Sequence, residues 1–137
     1  MKHIESRHSV CLFRWAQAQR SRLPELDLLV HVPNGGVRSQ REAARMKREG
    51  VRAGFPDYIL PARASGYVGA AFEMKAGNNY PTASQREWFD KLRGQGWLTF
   101  CAWDWLECAR LLERYLLDEL RDVDLSPGQR FGHIRTY

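Results

Sequence analysis

The order in which helical and strand periodicities succeed one another constrains this chain more than any single residue does. Ile4, Cys11, Leu12, Trp15 and Ala18 recur at three- and four-residue steps, so residues 4–20 read as an amphipathic helix. Leu26–Val32 is a short apolar run rich in branched residues, read as a buried strand ended by Pro33-Asn34-Gly35-Gly36. Residues 38–49 hold helix formers with no breaker before Gly50 and read as a second helix. Gly54 and Pro56 break the chain, and Asp57–Leu60 opens a strand that Pro61 stops. Tyr67–Lys75 is the next strand, closed by Gly77. Thr82 or Ser84 caps a helix through about Arg93, with Trp88, Phe89 and Leu92 on its packed side. Trp97–Trp103 is a further strand, and Asp104 caps a last helix carrying Leu106, Ala109, Leu112 and Leu116. From Arg121 onward, Pro127, Gly128 and Gly132 interrupt a stretch with no clear period. The expectation is a domain over 1–120 and a tail over 121–137. The element order implies one α/β layer structure, a central mixed sheet flanked by helices, with an extra basic helix inserted after the first strand.

Length and composition narrow the class. A chain of 137 residues suits one domain and buries a core without disulfides or structural metal. A hydrophobic fraction of 44% with five tryptophans argues against a disordered segment. No apolar run approaches the roughly 18 residues that cross a bilayer, and the charged start Met1–Arg7 is no signal peptide. The expectation is therefore no membrane and a cytoplasmic protein. Cys11, Cys101 and Cys108 form no CxxC pair and read as reduced, buried thiols. His3 and His8 do not share a helical face, and no HExxH occurs, which argues against zinc. His31 reads as structural, and Trp88, Trp97, Trp103 and Trp105 as core packing.

Charge is concentrated. The formal net charge is +5, and between Arg38 and Arg52 six basic residues face two acids, Glu42 and Glu49, so that segment alone carries +4. Arg38, Arg41, Arg45, Arg48 and Arg52 fall at steps of three and four, one stripe on a helix, although Gly50 ends it before Arg52. Solvated helix faces normally mix signs, so the stripe reads as a phosphate contact. Neutralising about four phosphates implies a log K against log[salt] slope near −3.6 on duplex DNA.

Within Tyr67–Lys75, Phe72 and Met74 point one way while Glu73 and Lys75 point the other, roughly 6.6 Å apart along the strand. Phosphodiester hydrolysis needs a divalent cation that neutralises developing charge. Magnesium favours few carboxylates, with waters and phosphate oxygens completing its shell. Asp57 and Glu73 on neighbouring strands, with Lys75 beside the water, meet that need. By spacing alone the same residues are also a surface ion pair and a turn-forming Asp.

The wider context decides. Pro33-Asn34-Gly35-Gly36, then Gly54-Phe55-Pro56-Asp57, then Phe72-Glu73-Met74-Lys75, then Ser84-Gln85-Arg86-Glu87-Trp88 together resemble the virus-type replication–repair nuclease (VRR-NUC) family. That family is a branch of the PD-(D/E)xK, restriction-endonuclease-like superfamily. The resemblance runs from the first helix to about Cys101 and implies an αβββαβ core. It implies that Asp57 and Glu73 bind Mg²⁺, with Mn²⁺ substituting, and that the Met74 backbone carbonyl is a further ligand. Lys75 would orient or deprotonate the attacking water, and Gln85 would support that water or a phosphate. Glu5 sits where the family places an acidic residue facing the site; its other reading is a helix N-terminal carboxylate favoured by the dipole. Gly35, Gly36 and Gly54 are either turn glycines or points of close DNA approach. What the resemblance implies for stand-alone members, found in phages and bacteria, is structure-selective cutting of branched DNA such as four-way (Holliday) junctions. Near two-fold symmetry of a junction makes a homodimer the natural form. A nucleic-acid-binding module without catalysis, and a structural partner in a phage or replication complex, are the rival readings.

Overall fold

The computed structural model describes residues 2–33 and 38–137. Gly35 and Gly36 lie outside the described residues. The elements in order are α1 (Lys2–Gln19), a 3₁₀ turn (Pro24–Leu28), β1 (Val30–His31), α2 (Gln40–Arg48), β2 (Tyr58–Leu60), β3 (Gly69–Met74), α3 (Ala83–Gly94), β4 (Trp97–Ala102), α4 (Trp105–Leu116), β5 (Arg130–Phe131) and β6 (Ile134–Thr136). The six strands form one mixed sheet ordered β1-β2-β3-β4-β6-β5. Among the described residues only β3 and β4 run parallel, and α3 supplies the crossover that a parallel pair requires.

The centre of the sheet is β3, buried at every position. A strand flanked on both faces explains its Ala-Ala-Phe run and Met74, and Glu73 is the one charged residue in it. Along one face, His31, Tyr58, Phe72 and Phe100 form a row of rings stacked across β1 to β4, with centroids 4.7, 5.0 and 4.8 Å apart in turn. The α1 and α4 helices cover this face, and Leu12, Ala16, Cys108, Leu111, Leu112 and Tyr115 join the same core. Each buried Leu of this kind contributes about 1.5–3 kcal/mol relative to exposure. At the far end, Gly69 gives Trp97 room: a Cβ there would lie 2.5 Å from the indole.

Three segments depart from the sequence reading. Leu26–Val32 is not a buried strand. Pro24 starts a 3₁₀ turn that buries Leu26, and the strand shrinks to Val30–His31, exposed at the sheet edge. Branched apolar residues there satisfy a short edge pairing rather than a core strand. The stretch after Arg121, which shows no period, carries the β5–β6 hairpin, and β6 pairs antiparallel with β4. The guanidinium of Arg93 fastens this segment by donating to the carbonyls of Tyr137 (2.7 Å), Leu125 (3.0 Å) and Thr99 (2.9 Å). Two- and three-residue strands are too short for alternation to register. The tryptophans are the third departure: Trp105 packs against the core as read, but Trp88, Trp97 and Trp103 are only partly buried, and Trp88 and Trp103 spend their indole N–H on loop carbonyls. Cys101 and Cys108 are buried free thiols and Cys11 is half-buried.

Candidate active site

Asp57 is set in place by the loop before it. Gly54 adopts φ +82°, and a Cβ there would fall 2.7 Å from the backbone of Ser84, so only glycine lets this loop lie against the start of α3. The close approach that Gly54 permits is therefore one between two parts of the protein. The indole of Trp88 donates to the Ala53 carbonyl at 3.1 Å, and Phe55 meets the Trp88 ring edge-on at 5.1 Å. The Asp57 carbonyl accepts from Val32 N–H. The chain then enters β2, where Tyr58 faces Phe72 across the antiparallel pair. Continuing that register by one residue brings Asp57 opposite Glu73.

Glu73 is fully buried, and neither carboxylate oxygen has a hydrogen-bond partner of ordinary geometry among the described residues. Burial, chiefly, and then the Asp57 carboxylate beside it push the Glu73 carboxyl up from 4.5 to about 9, while the charge of Lys75 pulls modestly the other way. A buried carboxylate without such a partner is costly in its charged form, a cost that a bound cation would offset. On the neighbouring strand Cys101 stands level with Glu73, and its thiol is also pushed up by burial and then by the Glu73 charge.

Lys75 follows β3 directly, its N–H donating to the Ala102 carbonyl at 2.8 Å. Its ammonium donates to Gln85 Oε1 at 2.9 Å. The same oxygen accepts from Thr82 N–H at 2.9 Å, and Thr82 Oγ1 accepts from Gln85 N–H, closing a capping box at the start of α3. The sequence signal for this was Thr82-x-x-Gln85, not the Ser84-Gln85 pair. Lys75 is thus aimed by the helix cap.

Glu5 lines a cleft of about 390 Å³ together with Ser9, His31, Asp57 and Met74. By strand alternation Met74 faces away from Glu73 and Lys75, and its side chain is core. Of the three residues Asp57, Glu73 and Lys75, the cleft is lined by Asp57. Among the described residues no group of three or more His, Cys, Asp or Glu closes into a metal cage. The fit is to a hard cation that takes two protein carboxylates and completes its shell from water and phosphate, not to a zinc-like closed site.

The basic stripe stands apart from the core, since no residue of α2 is buried. It is less free than its spacing suggests. Arg45 is paired with Glu49 at 3.1 Å, and Arg52 donates to the Lys47 carbonyl at 3.1 Å at the end of the helix. Arg38, Arg41 and Arg48 carry no ion pair among the described residues.

This geometry can be set beside known proteins. The family model described as the VRR-NUC domain matches residues 4–102. The chain belongs to the VRR-NUC family. A solved structure described as "VRR_NUC domain protein" superposes with a TM-score of 0.68 at 29% identity, covering 81% of this chain and 86% of that one. No curated protein matches the chain. As a VRR-NUC domain it has the nuclease-type fold and takes nucleic acid as its substrate. No helix among the described residues is long and apolar enough to cross a membrane. The family match ends at β4, so α4 and the β5–β6 hairpin lie beyond it.

Proposed function

We propose that this VRR-NUC domain is a Mg²⁺-dependent endonuclease that hydrolyses DNA, with branched DNA such as four-way junctions as its substrate and a homodimer as its working form. The observation that carries the metal dependence is the pair of unpartnered, buried Glu73 oxygens beside Asp57. Asp57 and Glu73 would hold the ion, with the Met74 carbonyl beside them and Mn²⁺ able to replace Mg²⁺. When bound, the cation supplies charge neutralisation at the phosphate and favours the nucleophilic form of water.

The chain's own groups do the rest. Lys75 holds its ammonium on the Glu73 face of β3, where it donates to a phosphate oxygen or orients the attacking water. Gln85 keeps that ammonium from wandering, because its oxygen is itself fixed by Thr82 N–H. Arg38, Arg41 and Arg48 on and beside α2 would bind the DNA backbone away from the scissile phosphate. The choice of branched DNA rests on the family resemblance, and the dimer on the two-fold symmetry of a junction.

The test is incubation of the protein with labelled four-way junction, flap and linear duplex, in Mg²⁺ and in EDTA. Cleavage of the branched substrates in Mg²⁺ alone is expected. Metal-independent binding with no cleavage of any substrate would instead favour a silent binding module.

A further inference from the structure

A second cleft, of about 290 Å³, lies beyond the end of β3 and β4 and is walled by Gly77, Tyr80, Trp103, Arg130, His133 and Arg135. Its size is near the lower end of the roughly 300–1,000 Å³ typical of small-ligand sites, suited to one nucleobase and not to a duplex. Its position ties it to the active site. Gly77 is two residues past Lys75, and Trp103 directly follows Ala102, whose carbonyl holds Lys75 N–H.

Its chemistry is aromatic and cationic. Tyr80 is 51% exposed, and its ring meets Trp103 in a tilted pair at 5.4 Å and 58°. The Trp103 indole is pinned by its bond to the Asn79 carbonyl at 3.0 Å. The Arg135 guanidinium lies 5.6 Å over Tyr80. Arg130 and Arg135 stand directly opposite each other in the β5–β6 pairing. Like charges placed so destabilise a hairpin, and among the described residues neither arginine is paired with a carboxylate. The nearby acid, Glu107, is already engaged: it accepts from His133 N–H and contacts His133 Nδ1 at 3.0 Å. Gly132 packs so tightly on it that a Cβ would fall 2.7 Å from its oxygen. Glu107 therefore ties the turn of the hairpin to α4. Opposed cations beside exposed rings are what an unpaired nucleotide needs, a π-face for the base and positive charge for its phosphate.

We propose that this cleft binds an unpaired nucleotide of single-stranded DNA next to the scissile strand, its base on Tyr80 and Trp103 and its phosphate between Arg130 and Arg135. The inference deepens the nuclease reading above and rests on it for the choice of DNA. It would give preference for substrates carrying unpaired bases, through a hairpin that lies outside the family match.

The test is equilibrium binding of a fluorescein-labelled oligothymidylate and of a blunt duplex, both in EDTA, to the full chain. Tyr80→Ala and Arg130→Ala should each weaken oligothymidylate binding on the order of tenfold and duplex binding far less, while Tyr80→Phe, which keeps the ring, binds like the parent protein. Unchanged oligothymidylate affinity in both alanine variants would overturn the proposal, as would equal losses on both probes. Cleavage in Mg²⁺ is measured separately on the parent protein. Failure to cut would count against the nuclease reading and leave the binding comparison intact.

Discussion

Replacing Glu73 with Gln is expected to make the metal-free protein more stable while abolishing cleavage. The carboxyl titrates at about 9 in the fold against an ordinary 4.5. Between those values the folded state holds a proton that the unfolded chain has lost, so stability falls as pH rises, by about 1.4 kcal/mol per unit. Below pH 4.5 both states are protonated and the deficit is absent; it is complete above pH 9. At pH 7, some 2.5 units above the ordinary value, the deficit amounts to at most roughly 3 kcal/mol. Gln is neutral at all these pH values and close in shape to the protonated acid, so Glu73→Gln should recover about 1–3 kcal/mol. For a domain of this size that is about 3–15 °C in Tm, at roughly 3–5 °C per kcal/mol. The assay is thermal melting in EDTA at pH 5, 7 and 8, repeated with Mg²⁺. The difference between parent and variant should grow from under about 1 kcal/mol at pH 5 to its largest at pH 8. Mg²⁺ should raise the parent's Tm, because the ion binds the folded site and not the unfolded chain, and leave the variant's unmoved. A variant less stable than the parent in EDTA at pH 7, or a difference independent of pH, would refute the reasoning.

Three further outcomes follow from the geometry. Gln85→Ala removes both the cap on Thr82 N–H and the anchor of Lys75, so it should cost about 1 kcal/mol in urea denaturation and slow cleavage; Gln85→Glu, which can serve both partners, should retain most of each. With Arg45 and Arg52 engaged in the protein, contact by the three arginines that carry no ion pair among the described residues implies a log K against log[salt] slope near −2.7 on duplex DNA, shallower than the five-residue stripe suggests. Arg41→Gln and Arg48→Gln should each flatten it by about 0.9, and Arg45→Gln by less, read by fluorescence anisotropy over a salt series. Gly54→Ala meets both a left-handed backbone and the Ser84 backbone at 2.7 Å, so a loss of at least about 1–3 kcal/mol is expected, with activity per folded molecule also falling as Asp57 shifts.

The parts of the fold written in long periods were legible. Helices α1, α3 and α4 and strands β3 and β4 each repeat an apolar pattern often enough to be seen, and Asp104 capped α4 as its position suggests. Short elements were not. β1 is two residues at an edge, where apolar side chains carry no burial, and the β5–β6 hairpin has too few residues to alternate. Asp57, Glu73 and Lys75 are legible by type, but their proximity depends on the β2–β3 register, which no spacing in the sequence encodes. The role of Arg45 was obscured because an i,i+4 partner, Glu49, can be set aside on a helical wheel yet still be reached by a long side chain. The tryptophans misled for a related reason: a large apolar ring with one polar atom is at home at a rim, where Trp88 and Trp103 use that atom to hold loops.

The central claim is that Asp57, Glu73 and Lys75 form a hydrolytic metal site. Its most direct measurement is single-turnover cleavage of a labelled four-way junction by the parent protein, Asp57→Asn and Lys75→Met, with binding measured in parallel. Cutting by the parent in Mg²⁺ and not in EDTA is expected, with both variants binding the junction yet losing about 10²–10⁴-fold in rate. Parent-like cleavage by Lys75→Met, or cleavage by the parent in EDTA, would contradict it.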